Sequence, residues 1–348
     1  VFANDAPSRL TLDGAALVHN WQALRRLGGG AACGAAVKAN GYGFGAAGVV
    51  ERLARAGCRD FYVATWGEAA ALADLVAKHD LSLSVLHGVR ERDMAAARDL
   101  PARPVLNTVE QVARWRAAGG GACDVMIDTG MNRLGLAAQD TALLDGVGVE
   151  TLMSHLACAE EASAMNGCQR AGLAALAGRT DARRLSLANS AGIALGPDYA
   201  FDLTRPGIAL YGGVPCDALA IQIRPVAAIE AEVLQRRLVP AGATVGYNAT
   251  WTASKDTPVI VINLGYADGF PRALGPAAVA MWEGAALPIL GRVSMDLIAL
   301  DARAASGIAE GDTVRFVIDL PAWAKAAGRS QYELLTGLGQ RFERVWRD

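Results

Sequence analysis

From about residue 31 to 210 the chain repeats one pattern, a short apolar run rich in valine, isoleucine or leucine followed by an alanine-rich stretch whose apolar residues recur at helical spacing. Such a repeat reads as successive βα units. The runs lie near Gly34 to Lys38, Phe61 to Ala64, Leu83 to Leu86, Pro104 to Leu106, Asp124 to Asp128, Glu150 to Ser154, Arg184 to Leu187 and Phe201 to Thr204. Helical patterns such as Glu68 to Lys78 and Glu110 to Ala118 separate them. About eight alternations suit a closed (β/α)8 barrel of the α/β class better than an open doubly wound sheet.

After roughly Ile221 the texture changes. Ala228 to Leu238, Val259 to Leu264, Pro288 to Ile298 and Thr313 to Val317 read as strands split by turn signals such as Pro240-Ala241-Gly242 and Glu310-Gly311-Asp312. The 348 residues also exceed the ~250 to 300 at which a single hydrophobic core stops growing. The expected organisation is therefore a barrel over 1–222 and a mostly-β C-terminal domain over 223–348, with residues 1–10 free to pack on the second domain.

Composition narrows the function classes. With 52% hydrophobic and 20% charged residues the chain has material for a large core, which excludes a disordered protein. Lysine and arginine total 33 against 35 aspartate and glutamate, so no basic excess is available to neutralise a nucleic-acid backbone. No apolar stretch has the ~18 to 20 uninterrupted residues a membrane span needs, and residues 1–10 lack the basic and apolar regions of a signal peptide. The six cysteines include no C-x-x-C pair; buried free thiols, a cytoplasmic location and no metal site are expected.

Two segments suggest chemistry. Gly43-Phe44-Gly45-Ala46-Ala47-Gly48 is a literal G-x-G-x-x-G that follows a strand and opens a helix, as a dinucleotide pyrophosphate requires. The acidic residue that should close the next strand and hold a ribose is missing, because Phe61 to Trp66 offers none before Glu68. Lys38 is the more telling residue. It ends an apolar strand in Ala36-Val37-Lys38-Ala39-Asn40-Gly41-Tyr42-Gly43, on the barrel face where active sites are built. There a partly desolvated lysine loses its proton readily and forms a Schiff base.

The Lys38 segment resembles the pyridoxal-phosphate lysine motif of the alanine racemase family, V-K-A-N-x-Y-G-H-G, with Phe44 in place of the histidine. The resemblance continues in the family's order along nearly the whole chain. Asp128-Thr129-Gly130-Met131-Asn132-Arg133-Leu134-Gly135 is similar to D-T-G-M-x-R-x-G, Ser154-His155-Leu156-Ala157 to the histidine segment, and Ala188-Asn189-Ser190 to A-N-S. Arg205-Pro206-Gly207-Ile208-Ala209-Leu210-Tyr211-Gly212 is similar to R-x-G-I-x-x-Y-G. Val245 to Thr250 resembles the segment of the second catalytic base. Gly265 to Gly269, Gly291 to Asp296 and Tyr332 to Thr336 follow.

The resemblance implies pyridoxal 5'-phosphate as cofactor, alanine as substrate, and a head-to-tail homodimer with shared active sites. Moving the α-proton of alanine in both directions needs an electron sink and a base on each face of the α-carbon. By resemblance Lys38 carries the coenzyme and serves as base on one face, and Tyr247, reaching into the partner's site, serves on the other. A free phenol has a pKa of about 10, so that role needs nearby cations or hydrogen bonds, for which His155 and Arg205 are the candidates. Arg205 is expected at the pyridine nitrogen, where a guanidinium donates without giving up its proton. Tyr42, Ser190, Tyr332 and the amides of Gly207 and Ile208 are expected at the phosphate, with Asn189 in the same wall. Arg133 and the Met295 N–H are expected at the substrate carboxylate, and Tyr266 and Tyr332 at a narrow entrance.

Two further positions depart from the family. Seven residues before Arg133, where many relatives carry a carbamylated lysine, stands Met126; a chloride, a water or the Asn132 side chain is expected beside Arg133 instead. Asn248 replaces a usual glycine next to Tyr247, which leaves a serine or broad-specificity amino-acid racemase as the alternative. A decarboxylase on the same two domains rests on fold analogy alone and is disfavoured by Arg205. A single-domain coenzyme-binding protein of the barrel type would lack Tyr247 and Met295. Supply of D-alanine for peptidoglycan and catabolism of L-alanine use the same chemistry.

Overall fold

The computed structural model describes residues 8–275 and 277–348, so part of the amino-terminal stretch expected against the second domain, residues 1–7, lies outside the described residues. The chain divides into two compact units, one of Leu17–Arg224 and one drawn from Val1–Ala16 and Pro225–Asp348.

Strand β1 (Ser8–Asp13) leads into helix α1 (Gly14–Leu27). Eight parallel strands then build the first unit. They are β2, in two pieces at Ala32–Cys33 and Ala35–Ala36, β3 (Asp60–Val63), β4 (Ser82–Val85), β5 (Arg103–Leu106), β6 (Cys123–Met126), β7 (Val149–Met153), β8 (Arg184–Ser186) and β9 (Leu203–Thr204). The first piece of β2 pairs with β9 and the second with β3, which closes the (β/α)8 barrel. The strands fall where the apolar runs place them. β9 begins two residues later than its run because Phe201 takes a left-handed φ of 50°.

Helices α2 (Ala46–Ala56), α3 (Trp66–His79), α4 (Met94–Asp99), α5 (Val109–Ala117), α6 (Ala164–Ala174) and α7 (Ser190–Ala194) connect the strands. Helix α2 buries Val49, Val50, Leu53 and Ala54, one stripe of its surface, and stops at Gly57. Helix α3 starts at a capping box: the Thr65 hydroxyl accepts from the Glu68 N–H, and Glu68 returns its carboxylate to the Thr65 N–H.

The barrel interior is polar, whereas such interiors are ordinarily filled by branched apolar side chains. Asp60 of β3 takes two hydrogen bonds from Arg184 of β8, at 2.8 and 3.2 Å. The Ser84 hydroxyl of β4 donates to the fully buried Asp124 of β6 at 2.5 Å, and Arg103 Nε of β5 donates to the same carboxylate oxygen at 3.1 Å. Bonds between strands that are not neighbours in the sheet have to cross the inside of the barrel.

In the second unit the thirteen-residue β10 (Ala227–Val239) serves two partners. Its first half pairs with β1 and with β17 (Thr313–Val317); beyond an irregularity between Val233 and Gln235, its second half pairs with β13 (Thr257–Ile262). A small hairpin, β11 (Thr244–Val245) and β12 (Trp251–Thr252), lies between. Strands β14 (Val279–Trp282), β15 (Ala285–Leu290) and β16 (Ile298–Asp301) complete an antiparallel ring, and β18 (Glu343–Arg347) adds to β1 in parallel. The run Pro288 to Ile298 is therefore two strands rather than one. Gly291 at φ 69° breaks it, and a turn closed from the Ser294 N–H to the Leu297 carbonyl at 3.0 Å fills the gap. Helices α8 (Leu320–Ala327) and α9 (Gln331–Thr336) follow β17, with Trp323 packed edge-on against Phe270.

Candidate active site

Every site residue expected from the first unit follows the carboxyl end of a barrel strand. Lys38 and Tyr42 come after β2, Arg133 after β6, His155 after β7, Asn189 and Ser190 after β8, and Arg205, Gly207 and Ile208 after β9. Parallel strands bring these ends to one face, the mouth of the barrel.

The backbone beyond Lys38 makes a left-handed turn: φ is 53° at Ala39, 51° at Asn40, 63° at Gly41 and 52° at Tyr42. A non-glycine residue pays roughly 1–2 kcal/mol for this conformation, so the turn persists only where its surroundings hold it. They do. The Asn40 carboxamide oxygen accepts the Ala46 N–H at 2.9 Å, and the Asn40 carbonyl accepts the Gly45 N–H at 2.9 Å. The glycines of the G-x-G-x-x-G string thus finish this turn and open α2. Phe44, where the family motif has histidine, is fully buried and packs edge-on to Tyr211 at 5.4 Å. Burial pushes the Lys38 amine below its ordinary pKa, helped by the Arg133 cation and opposed by Glu68.

Tyr42, Ser190 and the backbone at Gly207 meet. A Cβ on Gly207 would lie 2.3 Å from the Tyr42 hydroxyl, so only glycine allows this approach. The buried Ser190 hydroxyl accepts the N–H groups of Gly207 at 3.0 Å and Ala209 at 3.2 Å, while the Ile208 N–H between them has no partner among the described residues. Asn189 is the cap of α7, its side-chain oxygen accepting from the Gly192 N–H at 2.8 Å. Tyr211 was not singled out from the sequence. Its ring stacks on Tyr42 at 4.6 Å, and its hydroxyl donates to the Ala36 carbonyl at 2.8 Å, which fixes Tyr42 from behind.

Arg205 is buried and donates to the Ser186 hydroxyl and, at 2.5 Å, to the Ser154 carbonyl; its Cζ stands 6.0 Å from the Tyr62 ring centre. It makes no ion pair among the described residues. Burial pulls its pKa down, and Tyr62 and Asp124 act the other way. His155 feels this directly. Burial, followed by the cations of Arg205, Arg133 and Lys38, pushes its pKa down to about 3, so the imidazole is neutral at physiological pH. Its segment is fixed by Gln169, which donates to the His155 carbonyl at 2.8 Å and accepts the Ala157 N–H at 2.8 Å. Arg133 is exposed on the loop after β6 and has no side-chain partner among the described residues. The mouth of the barrel is therefore cationic, suited to a phosphate and a carboxylate.

In the second unit Tyr247, Tyr266, Met295 and Tyr332 are 65%, 44%, 54% and 36% exposed. Their loops touch. The Tyr266 N–H donates to the Ser294 carbonyl at 3.1 Å and the Ala267 N–H to the Met295 carbonyl at 2.9 Å. Arg341 braces the loops from below, donating to Asp268 at 2.6 Å and to Asp296 at 2.8 Å. The Met295 N–H has no partner among the described residues. Among the described residues no group of three or more histidine, cysteine, aspartate or glutamate side chains could hold a metal, and no helix is long and apolar enough to cross a membrane.

The family models for the alanine racemase N-terminal and C-terminal domains match residues 12–215 and 226–346. The chain belongs to the alanine racemase family. It is 43% identical to an alanine racemase of Acidiphilium cryptum, over 97% of this chain and 98% of that one. It is 40% identical to a catabolic alanine racemase of Agrobacterium fabrum, over 99% and 93%. Among solved structures, the alanine racemase of Bartonella henselae with covalently bound pyridoxal phosphate superposes with a TM-score of 0.87 at 32% identity, covering 98% of this chain and all of that one. As a member of this family the chain is an enzyme of the amino-acid racemase class.

Met126, where many relatives carry the carbamylated lysine, is buried at the end of β6. Asn132 does not turn to Arg133: its carboxamide donates to the Gly130 carbonyl at 3.3 Å and its N–H to Asp128 at 3.1 Å. Its φ of 55° points the side chain into its own loop, which removes it as the group expected beside Arg133. Asn248 has a φ of 61°, a conformation glycine takes freely and asparagine tolerates, so the backbone accommodates asparagine where the family usually has glycine.

Proposed function

We propose that this enzyme interconverts L- and D-alanine with pyridoxal 5'-phosphate held at the barrel mouth. The observation that carries the reading is the meeting there of Lys38, Arg205 and the Tyr42–Ser190–Gly207 cradle. A dianion fits this cradle: the Ile208 N–H has no partner among the described residues, and the Ser190 hydroxyl, which accepts from Gly207 and Ala209, can turn its own proton to donate. Burial holds the Tyr42 hydroxyl protonated, with its pKa pushed up to about 12, so it stays a donor. On this reading Tyr42, Ser190, Gly207 and Ile208 hold the phosphate, with Tyr332 and the Asn189 wall completing the enclosure, and Arg205 faces the ring nitrogen.

When bound, the coenzyme supplies the sink for the electron pair left as the α-proton departs. The rest belongs to the protein. Lys38, its amine already biased toward the neutral form, takes or returns the α-proton on one face. Tyr247 of the partner subunit does so on the other. Arg133 and the Met295 N–H orient the substrate carboxylate, and Tyr266 narrows the way in. Arg205 donates at the ring nitrogen without surrendering a proton, which keeps the sink weak and favours prompt return of the proton to the α-carbon. His155, neutral beside Arg205, adds no competing acid. The same steps serve D-alanine supply for peptidoglycan and alanine catabolism; relatives named biosynthetic and catabolic, both of Agrobacterium fabrum, match at 38% and 40% identity.

Borohydride treatment of the coenzyme-loaded enzyme, followed by peptide mass spectrometry, is expected to fix the coenzyme on Lys38, and a chiral assay is expected to show D-alanine formed from L-alanine. Absence of fixed coenzyme would sink the reading; fixation without D-alanine would turn it toward serine or a decarboxylation substrate. Gly207→Ala tests the cradle separately. Its Cβ displaces the Tyr42 hydroxyl, and losing one hydrogen bond to a charged group, worth about 1.5–3 kcal/mol, weakens coenzyme binding roughly 10- to 150-fold in an absorbance titration.

A further inference from the structure

Glu68 is the acid that a dinucleotide site would have needed closer to the end of β3, and the capping of α3 accounts for only part of what it does. One carboxylate oxygen, Oε2, accepts the N–H groups of Ala64 at 2.7 Å and Thr65 at 3.1 Å, the local task of a capping box. The other, Oε1, accepts the N–H of Ala39 at 2.6 Å. That contact spans 29 residues of sequence and ends on the peptide that joins Lys38 to Ala39, where the left-handed turn begins. No requirement of α3 explains it.

We infer that Glu68 is a positioning residue for Lys38, fixing the Lys38–Ala39 peptide so that the amine is aimed into the mouth, with its carboxylate charge set directly against that peptide. This rests on the reading that Lys38 carries the coenzyme. A strained backbone does not hold a side chain in one direction unless something bolts it down. Asn40 pins the far end of the turn, through the Ala46 and Gly45 N–H groups; Glu68 pins the near end and ties the exit of β2 to the exit of β3. The charged and titratable groups acting with Lys38 are Arg133, His155 and Glu68, and Glu68 alone among them is an acid.

The test compares wild type, Glu68→Gln and Glu68→Ala as coenzyme-loaded enzymes. The readouts are borohydride fixation at Lys38, the rate at which hydroxylamine strips the coenzyme, kcat and KM for alanine against pH, and melting temperature. Glutamine has one acceptor oxygen; given to the Ala39 N–H it leaves the carboxamide NH2 against the Ala64 and Thr65 N–H groups, so Glu68→Gln should lose melting temperature yet keep kcat and the stripping rate closer to wild type than Glu68→Ala does. Its acid limb of kcat should move to lower pH, because a lysine that loses a neighbouring negative charge gives up its proton more easily. Glu68→Ala should lose kcat on the order of 10- to 100-fold with KM little changed, and release coenzyme several-fold faster, the mark of a misaimed base. A Glu68→Ala enzyme that loses only melting temperature would reduce Glu68 to a helix cap and overturn the inference. Should that variant not fold, an unmoved acid limb in Glu68→Gln overturns it instead. Wild type without coenzyme fixed at Lys38 overturns the functional reading and this inference together, whereas fixed coenzyme with indifferent variants overturns this inference alone.

Discussion

Tyr247→Phe is expected to lower kcat for alanine racemisation about 10²- to 10⁴-fold, the usual worth of a positioned acid–base group, with melting temperature and coenzyme absorbance unchanged. The side chain is 65% exposed in its own unit and its hydroxyl has no partner among the described residues, so deleting the oxygen removes nothing that folding uses. Because Lys38 remains, one enantiomer of alanine should still exchange its α-hydrogen for solvent deuterium without inverting. Exchange of both enantiomers at wild-type rates would eliminate Tyr247 as the second base. The proposed sharing of sites between subunits has its own readout. A Tyr247→Phe subunit paired with a Lys38→Ala subunit rebuilds one intact site from the lysine of one chain and the tyrosine of the other. Random reassortment of equal amounts makes half the dimers mixed, each with one good site of two, so about a quarter of wild-type activity should return. Two inactive parents that exchange subunits and stay inactive would place both bases in one chain.

The barrel was legible because each βα unit repeats the same contrast between an apolar run and an amphipathic stretch, and the repeats persist for eight units whatever fills the interior. Lys38 was legible for the same reason, since a lysine closing an apolar run lies at the catalytic end of a barrel strand. The residues that hold the site were not. Ser186 and Ser154 as partners of Arg205, and Tyr211 behind Tyr42, are brought there by barrel closure, which joins positions far apart in sequence. Glu68 lay between the two cases: its capping box is a local pattern, T-x-x-E ahead of an apolar helix, but its bond to Ala39 depends on β2 and β3 being neighbours. The reading of Pro288 to Ile298 as one strand failed because its apolar content hid Gly291, and the interruption carries Met295. Apolar periodicity reports the elements that pack, and a loop that leaves a methionine exposed breaks that period for a reason the sequence window does not contain.

Arg103→Met is expected to cost about 3–5 kcal/mol of stability in chemical denaturation, a large share of the ~5–15 kcal/mol typical of a folded domain. Asp124 is fully buried, and its carboxylate takes a hydrogen bond from Arg103 at 3.1 Å and one from Ser84 at 2.5 Å. Removing the guanidinium leaves a buried charge with one hydroxyl to satisfy it. Replacing both partners, as in Arg103→Met with Asp124→Leu, should return most of the loss, because two apolar side chains of similar volume fill the space without stranding a charge. Equal destabilisation in the single and double variants would mean the pair contributes through shape rather than charge. Stability is only half the question, since an apolar filling would suit an ordinary barrel better. The interior carboxylate acts on Arg205, through the same polar interior that holds Tyr62, in the direction opposite to burial. If the double variant is as stable as wild type yet binds the coenzyme more weakly, the charge in the barrel is kept for Arg205, and the polar interior is part of the active site extended downward from the mouth. If coenzyme affinity is untouched, Ser186 and the Ser154 carbonyl suffice to hold Arg205, and the interior pairs serve only one another.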